Sequence, residues 1–408
     1  MNIWMISKYA SPPGYGTGLR FFYLTKEFGL LGHNTILFTS DANHYGPNFP
    51  KTNKIVNEEV IDNTKVIWYK TKKYKKTASI GRVLSWLDFE WKLFTHNKEK
   101  IDKPDVVVIS SLSIFTIVYG YYLKWKYKAF LVFEIRDIWP LTMTEEAGFK
   151  WYHPMVLLIG WFEKFGYKHA DLVVGTMPKL GNHVKEILGY ERPSHCCPIG
   201  FYPKDYENLE IEENPFDSIF PRDKKIIGYA GSMGITNALE SFIECIELMD
   251  KENPNIHFMM VGSGDFKAKF EEKLSKCSNV TFLPRIKQSE VKYFLAMCDI
   301  LFLSTQDSKV WDYGQSMNKV VEYMLAAKPI LARYSGYPSM INEADCGIFV
   351  NTNSTEDMKT AILSMVNLSD QELIELGLKG RKWIYENRTY AKLALDYLNE
   401  IVKLKSNR

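Results

Sequence analysis

The sequence predicts an α/β protein with two Rossmann-like domains, each built on a parallel sheet. Its 408 residues exceed one ordinary core, since domains usually hold about 100–200 residues. Short apolar segments alternate with helical patterns along the chain, which is typical of parallel β/α units. The pattern restarts near residue 225, after a segment rich in proline, charge and aromatics. We therefore expect domains at 1–200 and 201–385, and a final helical segment at 386–408 that packs back on the first domain.

Each domain has six predicted strands. In the first domain they are residues 2–6, 34–39, 65–69, 105–110, 129–134 and 171–174. In the second domain they are residues 225–230, 256–261, 279–282, 299–303, 329–332 and 347–350. The uncharged run 106–123 reaches the length of a membrane span, but serines and a glycine interrupt it. We interpret that run as a strand, a turn and a buried helix.

Composition and charge exclude several classes of protein. The 46% hydrophobic and 24% charged residues match an average globular protein. The six cysteines show neither a C-x-x-C pair nor a matching histidine spacing, so we expect no zinc site, no disulfide framework and a reducing, cytoplasmic location. We expect no signal peptide, because Met1 leads directly into the predicted strand N-I-W-M-I without a basic segment or a cleavage site. No clean G-x-G-x-x-G follows the first strand, which disfavours a dehydrogenase. The lysine run KKYKK alone is weak support for nucleic-acid binding.

A predicted helix near residue 317 has a lysine in its first turn. With Ser316 as N-cap, Lys319 lies at the positive end of the helix dipole, where a cation is disfavoured. A phosphate bound at this helix start would make the lysine favourable. Glu322 shares a face with Asn318 and suits the hydroxyls of a ribose. The pattern predicts a nucleotide site; the alternative is a polar turn in which Glu322 pairs with an arginine.

Two other segments of the second domain carry candidate donor-binding residues. Gly231, Ser232 and Gly234 follow a strand and precede a helix, so their backbone N–H groups suit an anion. A tight turn would explain the glycines equally well. Arg285 follows a strand at the carboxyl edge of the sheet, where ligands of open α/β sheets bind. It either reaches a diphosphate or is a surface arginine.

The first domain has a dense polar cluster after a buried strand. Glu134, Arg136 and Asp137 form either a structural triad, because buried charges must be paired, or a site for the acceptor or transferred sugar. The glycine-rich loop containing Gly16 and Thr17 leads to Arg20 at a helix start. A flexible loop here would close over a substrate.

Two segments of the first domain favour contact with an anionic membrane. Residues 148–169 mix aromatics, aliphatics and lysines, which indicates either a core helix with a basic rim or an interfacial helix. The basic and aromatic run at 68–77 lies in the same domain. Residues 1–200 hold 26 Lys and Arg against 18 Asp and Glu, so the first half is the basic one.

Together these motifs resemble the GT-B, nucleotide-sugar-dependent glycosyltransferases of family 4, specifically the bacterial branch that builds O-antigen and capsule repeat units, such as N-acetylfucosamine transferases. The resemblance covers nearly the whole chain and rests on four segments: the loop 14–18, E-I-R-D-I-W-P at 134–140, Y-A-G-S-M-G at 229–234, and S-M-N-K-V-V-E-Y-M-L-A-A-K-P at 316–329. It implies two parallel sheets facing a central cleft. It also implies retaining transfer from a nucleotide diphosphate sugar, usually of UDP, without a metal or other cofactor.

Position by position, the resemblance assigns roles to residues of this chain. Lys319 and Arg285 would hold the diphosphate and stabilise the leaving charge, and Glu322 would hold the ribose. The catalytic candidates are Arg285, Lys319, Glu134 and Asp137. The donor-binding candidates are Gly231, Ser232, Gly234, Arg285, Ser316, Asn318, Lys319 and Glu322. The acceptor-binding candidates are Gly16, Thr17, Arg20 and Arg136.

The chain departs from the family pattern at three places. Gly314 stands where many relatives have a glutamate, Met317 replaces a usual proline, and Ser110 or Ser111 occupies the region of a usual catalytic histidine. We expect a saccharide acceptor linked to polyprenyl diphosphate at the inner face of a cytoplasmic membrane, and no nucleic acid. The alternatives are a UDP-sugar 2-epimerase and a non-catalytic, nucleotide-sugar-binding partner subunit.

Overall fold

The chain divides into two compact units. The computed structural model describes residues 1–42, 50, 54–74, 79–206 and 214–407. The first unit comprises Met1–Tyr202 and Tyr390–Arg408, and the second comprises Pro203–Thr389. The last helix of the chain thus belongs to the first unit.

The first unit is built on a sheet of eight strands within the described residues, in the order β3-β4-β2-β1-β5-β6-β7-β8. The strands are β1 Asn2–Ile6, β2 Asn34–Ser40, β3 Val56–Ile61, β4 Thr64–Tyr69, β5 Val106–Ser110, β6 Phe130–Ile135, β7 Leu172–Gly175 and β8 Ser194–Cys196. Its helices are α1 Arg20–Leu30, α2 Ile80–Thr95, α3 Thr116–Tyr127, α4 Leu141–Glu145, α5 Pro154–His169, α6 Leu180–Leu188 and α14 Tyr390–Ser406. All neighbouring strands are parallel except the edge pair β3–β4.

Helices cover both faces of this sheet. One face packs against α1 and α14, where Phe28 meets Tyr397 with ring centroids 5.6 Å apart. The other face packs against α2, α3 and α5: Tyr69 of β4 meets Phe89 of α2 at 5.7 Å. Because β1 and its neighbours are buried on both faces, their sequences are continuous apolar runs.

The second unit has a fully parallel sheet of six described strands in the order β11-β10-β9-β12-β13-β14. The strands are β9 Lys225–Ala230, β10 Ile256–Val261, β11 Val280–Leu283, β12 Ile300–Ser304, β13 Ile330–Arg333 and β14 Gly347–Val350. The helices are α7 Glu240–Glu252, α8 Lys267–Lys273, α9 Gln288–Ala296, α10 Asn318–Leu325, α11 Met340–Glu343, α12 Thr355–Val366 and α13 Asp370–Asn387. This strand order is that of a Rossmann sheet, with its reversal between β9 and β12.

All predicted strands form, with ends shifted by at most a residue or so. The run 106–123 is confirmed as β5, a short 3-10 turn and the first part of α3. No helix in the described residues is long and apolar enough to cross a bilayer. The sequence interpretation missed β3 and β8, both of which are edge strands.

Candidate functional site

The centre of the second sheet brings together the loops that carry the predicted donor-binding residues. β9 and β12 are adjacent and parallel, and the loops that follow them run to opposite sides of the sheet. In open α/β sheets, ligands bind in the crevice formed where the strand order reverses in this way. The loop after β9 contains Gly231–Gly234, and the segment after β12 leads into α10.

Lys319 lies at this position, in the first turn of α10. Its ammonium donates hydrogen bonds to Tyr229 Oη (3.3 Å) and Asn237 Oδ1 (3.2 Å) and lies 4.4 Å from the centroid of the Tyr229 ring. Burial lowers the pKa of Lys319 to about 8, and the negative charge of Glu322 partly opposes this. No carboxylate of the described residues lies within ion-pair distance of the ammonium. An anionic ligand would therefore relieve a real electrostatic cost.

Gly231 makes room for this lysine. A Cβ atom on Gly231 would lie 2.5 Å from Lys319 Nζ, so no other residue allows the ammonium this position. The backbone N–H of Gly231 donates to Val261 O and that of Met233 to Ser263 O. These two groups are therefore not available to an anion, which corrects the expectation for them. Moreover, a 3-10 turn separates Gly234 from α7, so the loop does not open a helix directly.

A second glycine loop supports the first and was missed by the sequence interpretation. Gly262 has φ +146°, and a Cβ atom there would lie 1.8 Å from Gly231 O. Gly264 has φ +155°, and a Cβ atom there would lie 2.4 Å from Met233 O. Only glycine allows two backbone segments to approach so closely. The signal that would have found this loop is the G-S-G run directly after β10.

Glu322 lies one turn beyond Lys319 and pairs with Gln288. The Gln288 amide donates a 2.6 Å hydrogen bond to Glu322 Oε1. Burial raises the pKa of Glu322, while the Gln288 hydrogen bond and Lys319 act in the opposite direction. The alternative of a Glu322–arginine pair is therefore wrong, because the partner is a neutral amide. Gln288 begins α9 and was not among the predicted site residues.

Arg285 and the start of α10 complete this region. Arg285 is exposed two residues after β11 and makes no hydrogen bond or ion pair with any described residue. The predicted N-cap at Ser316 is wrong by one residue: Met317 has the extended N-cap backbone, and the helix begins at Asn318. The expected position of Lys319 in the first turn nevertheless holds.

In the first unit, Glu134 and Arg20 form a buried ion pair. Arg20 Nε lies 2.9 Å from Glu134 Oε1, and both side chains are almost fully buried. The Arg20 guanidinium also donates to the carbonyls of Cys197 and Pro198, and Tyr397 Oη donates to Glu134 Oε2. Glu134 therefore belongs to a structural ion pair, which was one of the two alternatives, but its partner is Arg20 and not Arg136. The reason is that β6 extends to Ile135, so Glu134 points toward the face covered by α1 and α14.

Arg136 is placed differently, beyond the carboxyl end of β6. Its Nε is buried without a hydrogen-bond partner among the described residues, and it forms no ion pair with them. Burial and the neighbouring Arg20 lower the pKa of Arg136. Ser111 accepts the backbone N–H of Arg136, and Thr176 donates to its carbonyl. The ends of β5, β6 and β7 thus surround a cation that feels the charges of Glu134 and Asp137 but forms no close ion pair with a described residue.

Asp137, Gly16 and Thr17 remain predictions. Asp137 is partly exposed, with the Trp139 indole N–H 3.5 Å from its Oδ2. Thr17 is exposed and Gly16 partly so, near the end of the loop that precedes Arg20. The first part of this loop, residues 7–12, is buried rather than solvated.

A further polar cluster at the same edge was missed. Lys8 follows β1 and donates to Ala42 O (2.6 Å); burial lowers its pKa to about 7. Glu90 of α2 accepts from Ser113 and Thr116, and burial raises its pKa to about 8. These groups lie beside the strand reversal of the first sheet, at the ends of β1 and β5. The strand order reverses between β1 and β5, and this can be recognised only in the folded sheet, not in the sequence.

Comparisons with known proteins agree with this fold. A family described as "Glycosyl transferases group 1" matches residues 224–367, which contain Gly231, Arg285, Lys319 and Glu322. The chain is 26% identical over 180 residues to a poly(ribitol-phosphate) alpha-N-acetylglucosaminyltransferase of Staphylococcus aureus, covering 43% of this chain and 35% of that protein. Residues 224–367 of the second unit are therefore similar to a glycosyltransferase group 1 domain.

Solved structures resemble the whole chain. Sucrose-phosphate synthase from Thermosynechococcus elongatus matches with a TM-score of 0.74 at 15% identity and covers 100% of both chains. A structure described as trehalose-6-phosphate from E. coli bound with UDP-2-fluoro glucose matches at 0.72 and 11% identity over 99% of both. Anabaena Alr3699/HepE in complex with UDP and glucose matches at 0.63 and 11% identity over 99% of this chain and 100% of that one. The predicted GT-B fold, with two parallel-sheet α/β units, is confirmed.

Proposed function

We propose that this protein is a retaining glycosyltransferase of family 4 that uses a UDP-linked sugar. The observation that carries the proposal is the half-buried Lys319 ammonium, which forms no ion pair with a described residue and lies beside the Gln288–Glu322 pair, within the region that matches the group 1 family. A cation without a counter-ion suits a diphosphate, and a carboxylate held one helical turn away suits a ribose. Two of the similar structures are described with UDP or a UDP-sugar.

In this reaction, the bond between the sugar C1 and the diphosphate oxygen breaks and a bond to the acceptor oxygen forms on the same face of the sugar. The proton of the acceptor hydroxyl passes to the departing phosphate, so no separate protein base is required. Lys319 stabilises the negative charge that develops on that phosphate. Arg285 follows β11 at the same sheet edge, where it is exposed and unpaired among the described residues, and in this proposal it assists Lys319.

For the acceptor, we propose a saccharide linked to polyprenyl diphosphate, used in the synthesis of surface polysaccharide at the cytoplasmic face of a membrane. Arg136 supports an acceptor that carries phosphate, because its partly buried guanidinium has an Nε without a hydrogen-bond partner and forms no ion pair with a described residue. Donor binding needs no metal in this proposal.

The first test is thermal unfolding of the full chain with UDP, GDP and ADP, without divalent metal. A ligand at about 100 times its dissociation constant adds about 2.7 kcal/mol of stability. Of the three nucleotides, we expect only UDP to raise the melting temperature, and we expect Lys319→Ala to abolish this effect. Lys328→Ala is the matched control, because Lys328 is also a desolvated lysine but follows the opposite end of α10.

A second measurement separates the proposed reaction from its alternatives. UDP-sugars that stabilise the protein are incubated with a polyprenyl-diphosphate-linked saccharide, and UDP release and product are followed. Transfer supports the proposal. A sugar isomer formed without acceptor would instead identify a 2-epimerase, and binding without any turnover would identify a non-catalytic partner.

A further inference from the structure

One helical layer of the first unit exposes an unusual amount of aromatic surface. α2, α3 and α5 cover the same face of the sheet, and their outward sides carry large apolar residues. We call the following residues the aromatic surface: Trp91, Phe94, Tyr121, Trp125, Leu157 and Trp161. The three tryptophans are 68%, 69% and 58% exposed, respectively. Soluble proteins rarely leave a contiguous apolar patch of this kind uncovered without a function.

Ring contacts make this surface continuous across the three helices. Phe94 of α2 lies 5.4 Å from Tyr122 of α3, which lies 6.5 Å from Trp125. On the other side of α3, Tyr121 meets Phe165 of α5 at 5.3 Å, and Phe165 stacks on Trp161 at 5.4 Å. These contacts link the rings of α2 to α3 on one side and those of α3 to α5 on the other.

Positive charge accompanies the aromatic residues. Lys126 and Lys128 are exposed at the end of α3, and Lys164 and Lys168 are exposed along α5. α3 has no acidic residue in its sequence, and the glutamate of α5, Glu163, is buried against His183. The outward faces of these two helices thus combine tryptophan and lysine without an opposing carboxylate.

Tryptophan and tyrosine prefer the boundary between lipid headgroups and acyl chains, and lysines beside them attract anionic headgroups. A second copy of the chain fits less well, because a two-fold contact through this patch would bring the lysines of both copies together. Since the described helices do not cross a bilayer, the patch would lie flat on it.

We propose that the aromatic surface docks this protein onto an anionic lipid bilayer. The basic run at 68–77 that also favoured a membrane lies partly outside the described residues, at 75–77, and carries none of this argument. This inference rests on the proposed function for its biological purpose, because it says how the protein would reach a membrane-bound acceptor. Its test, however, requires neither donor nor acceptor.

The test is flotation of the full chain with vesicles of phosphatidylcholine alone or with phosphatidylglycerol added, at low and high salt. We expect binding to the anionic vesicles that weakens with salt. The double variant Trp125→Ser with Trp161→Ser should bind at least about tenfold more weakly to the anionic vesicles, and it should also lose any weaker binding that the unchanged chain shows to phosphatidylcholine alone. Lys126→Glu with Lys164→Glu should lose about tenfold or more on anionic vesicles only.

The control is Leu395→Ser with Val402→Ser, which removes exposed apolar side chains (46% and 50%) from α14 on the opposite face. This variant should bind vesicles as the unchanged chain does. UDP stabilisation of each variant reports separately on the donor site. If UDP stabilises the unchanged chain but no vesicles bind it, the docking inference alone is overturned. If the unchanged chain floats with vesicles but UDP does not stabilise it, the donor proposal alone is overturned. A dimer that dissociates in the tryptophan variant, without vesicle binding, also overturns the docking inference.

Discussion

Lys319 Nζ lies 2.5 Å from the position that a Cβ atom on Gly231 would occupy. The lysine of one helix and the glycine of a distant loop are therefore a matched pair: the missing side chain of one residue is the space for the other. This relationship gives Gly231 a role different from the anion-binding one that its sequence indicates.

Gly231→Ala should displace the Lys319 ammonium and abolish UDP stabilisation. Overpacking of this kind costs about 1–3 kcal/mol of folding stability, so the variant should still fold. Urea unfolding with and without UDP measures both effects. Gly234→Ala is the matched control, because its Cβ would meet nothing closer than Ser232 Oγ at 3.6 Å. Normal UDP binding by Gly231→Ala would contradict the role given to the lysine.

UDP affinity should fall as pH rises through about 8. In the free protein, burial lowers the pKa of Lys319 to about 8, so its charge is lost above that pH and the diphosphate loses its partner. Bound UDP favours the charged form, which moves the apparent midpoint upward in the complex. Calorimetric titration at several pH values measures this. Lys319→Arg should remove the pH dependence, because arginine stays protonated; an unchanged profile would exclude Lys319 as the titrating group.

Lys319 also leads to a prediction about folding stability, whose dependence on pH has the opposite sign to that of UDP affinity. Since the pKa of Lys319 is lower in the folded chain than its usual 10.5, the unfolded chain binds more protons between about pH 8 and 10.5. The contribution of Lys319 to the free energy of unfolding should therefore increase with pH across that window. Lys319→Met should flatten this part of the pH profile of stability relative to the unchanged chain, in chemical denaturation without nucleotide.

Glu322 should distinguish UDP from 2′-deoxy-UDP. A hydrogen bond to a charged group contributes about 1.5–3 kcal/mol, so Glu322→Ala should reduce the preference for the ribose hydroxyl by about tenfold or more. Competition titrations with both nucleotides give this ratio. The control is Glu375→Ala, because Glu375 accepts a similar 2.8 Å hydrogen bond from Gln371 on the exposed side of α13. An unchanged ratio in Glu322→Ala would show that Glu322 does not bind the ribose.

Arg136→Gln should weaken binding of a diphosphate in the first unit without affecting UDP. Farnesyl diphosphate, added to protein saturated with UDP, is a suitable probe, with farnesol as the neutral comparison. Arg192→Gln is the matched control. The Nε of Arg192 is also buried without a partner among the described residues, but this residue precedes β8 and its guanidinium donates to Ala170 O, just before β7. Equal binding by Arg136→Gln and the unchanged chain would leave Arg136 without a role in acceptor binding.

Loss of either Arg20 or Glu134 should destabilise the first unit strongly. Breaking a buried pair leaves one charge uncompensated and typically costs about 3–5 kcal/mol. Arg20→Met and Glu134→Gln should each lower the urea midpoint, and the double variant should lose less than the sum. Lys185→Ala, which breaks the exposed pair with Glu191, should cost less than about 1 kcal/mol.

The strands show what could and could not be predicted locally. The buried parallel strands are continuous apolar runs, and they formed as expected. β3 was missed because it is an antiparallel edge strand with alternating exposure and a polar sequence, V-N-E-E-V-I. The signal that would have found it is the Asp62-Asn63 turn to β4, where both residues have positive φ. β8 has three residues and no pattern of its own.

The sequence by itself determined the two parallel sheets, the place of Lys319 and Glu322 in one short helix, and the resemblance to glycosyltransferases, because these depend on periodicity and spacing along the chain. The tertiary structure decided which partners these residues have. Glu134 pairs with Arg20, Glu322 with Gln288, and Lys319 occupies the space left by Gly231. Such contacts join segments that are distant in sequence, and only the packing of helices on the sheets brings them together.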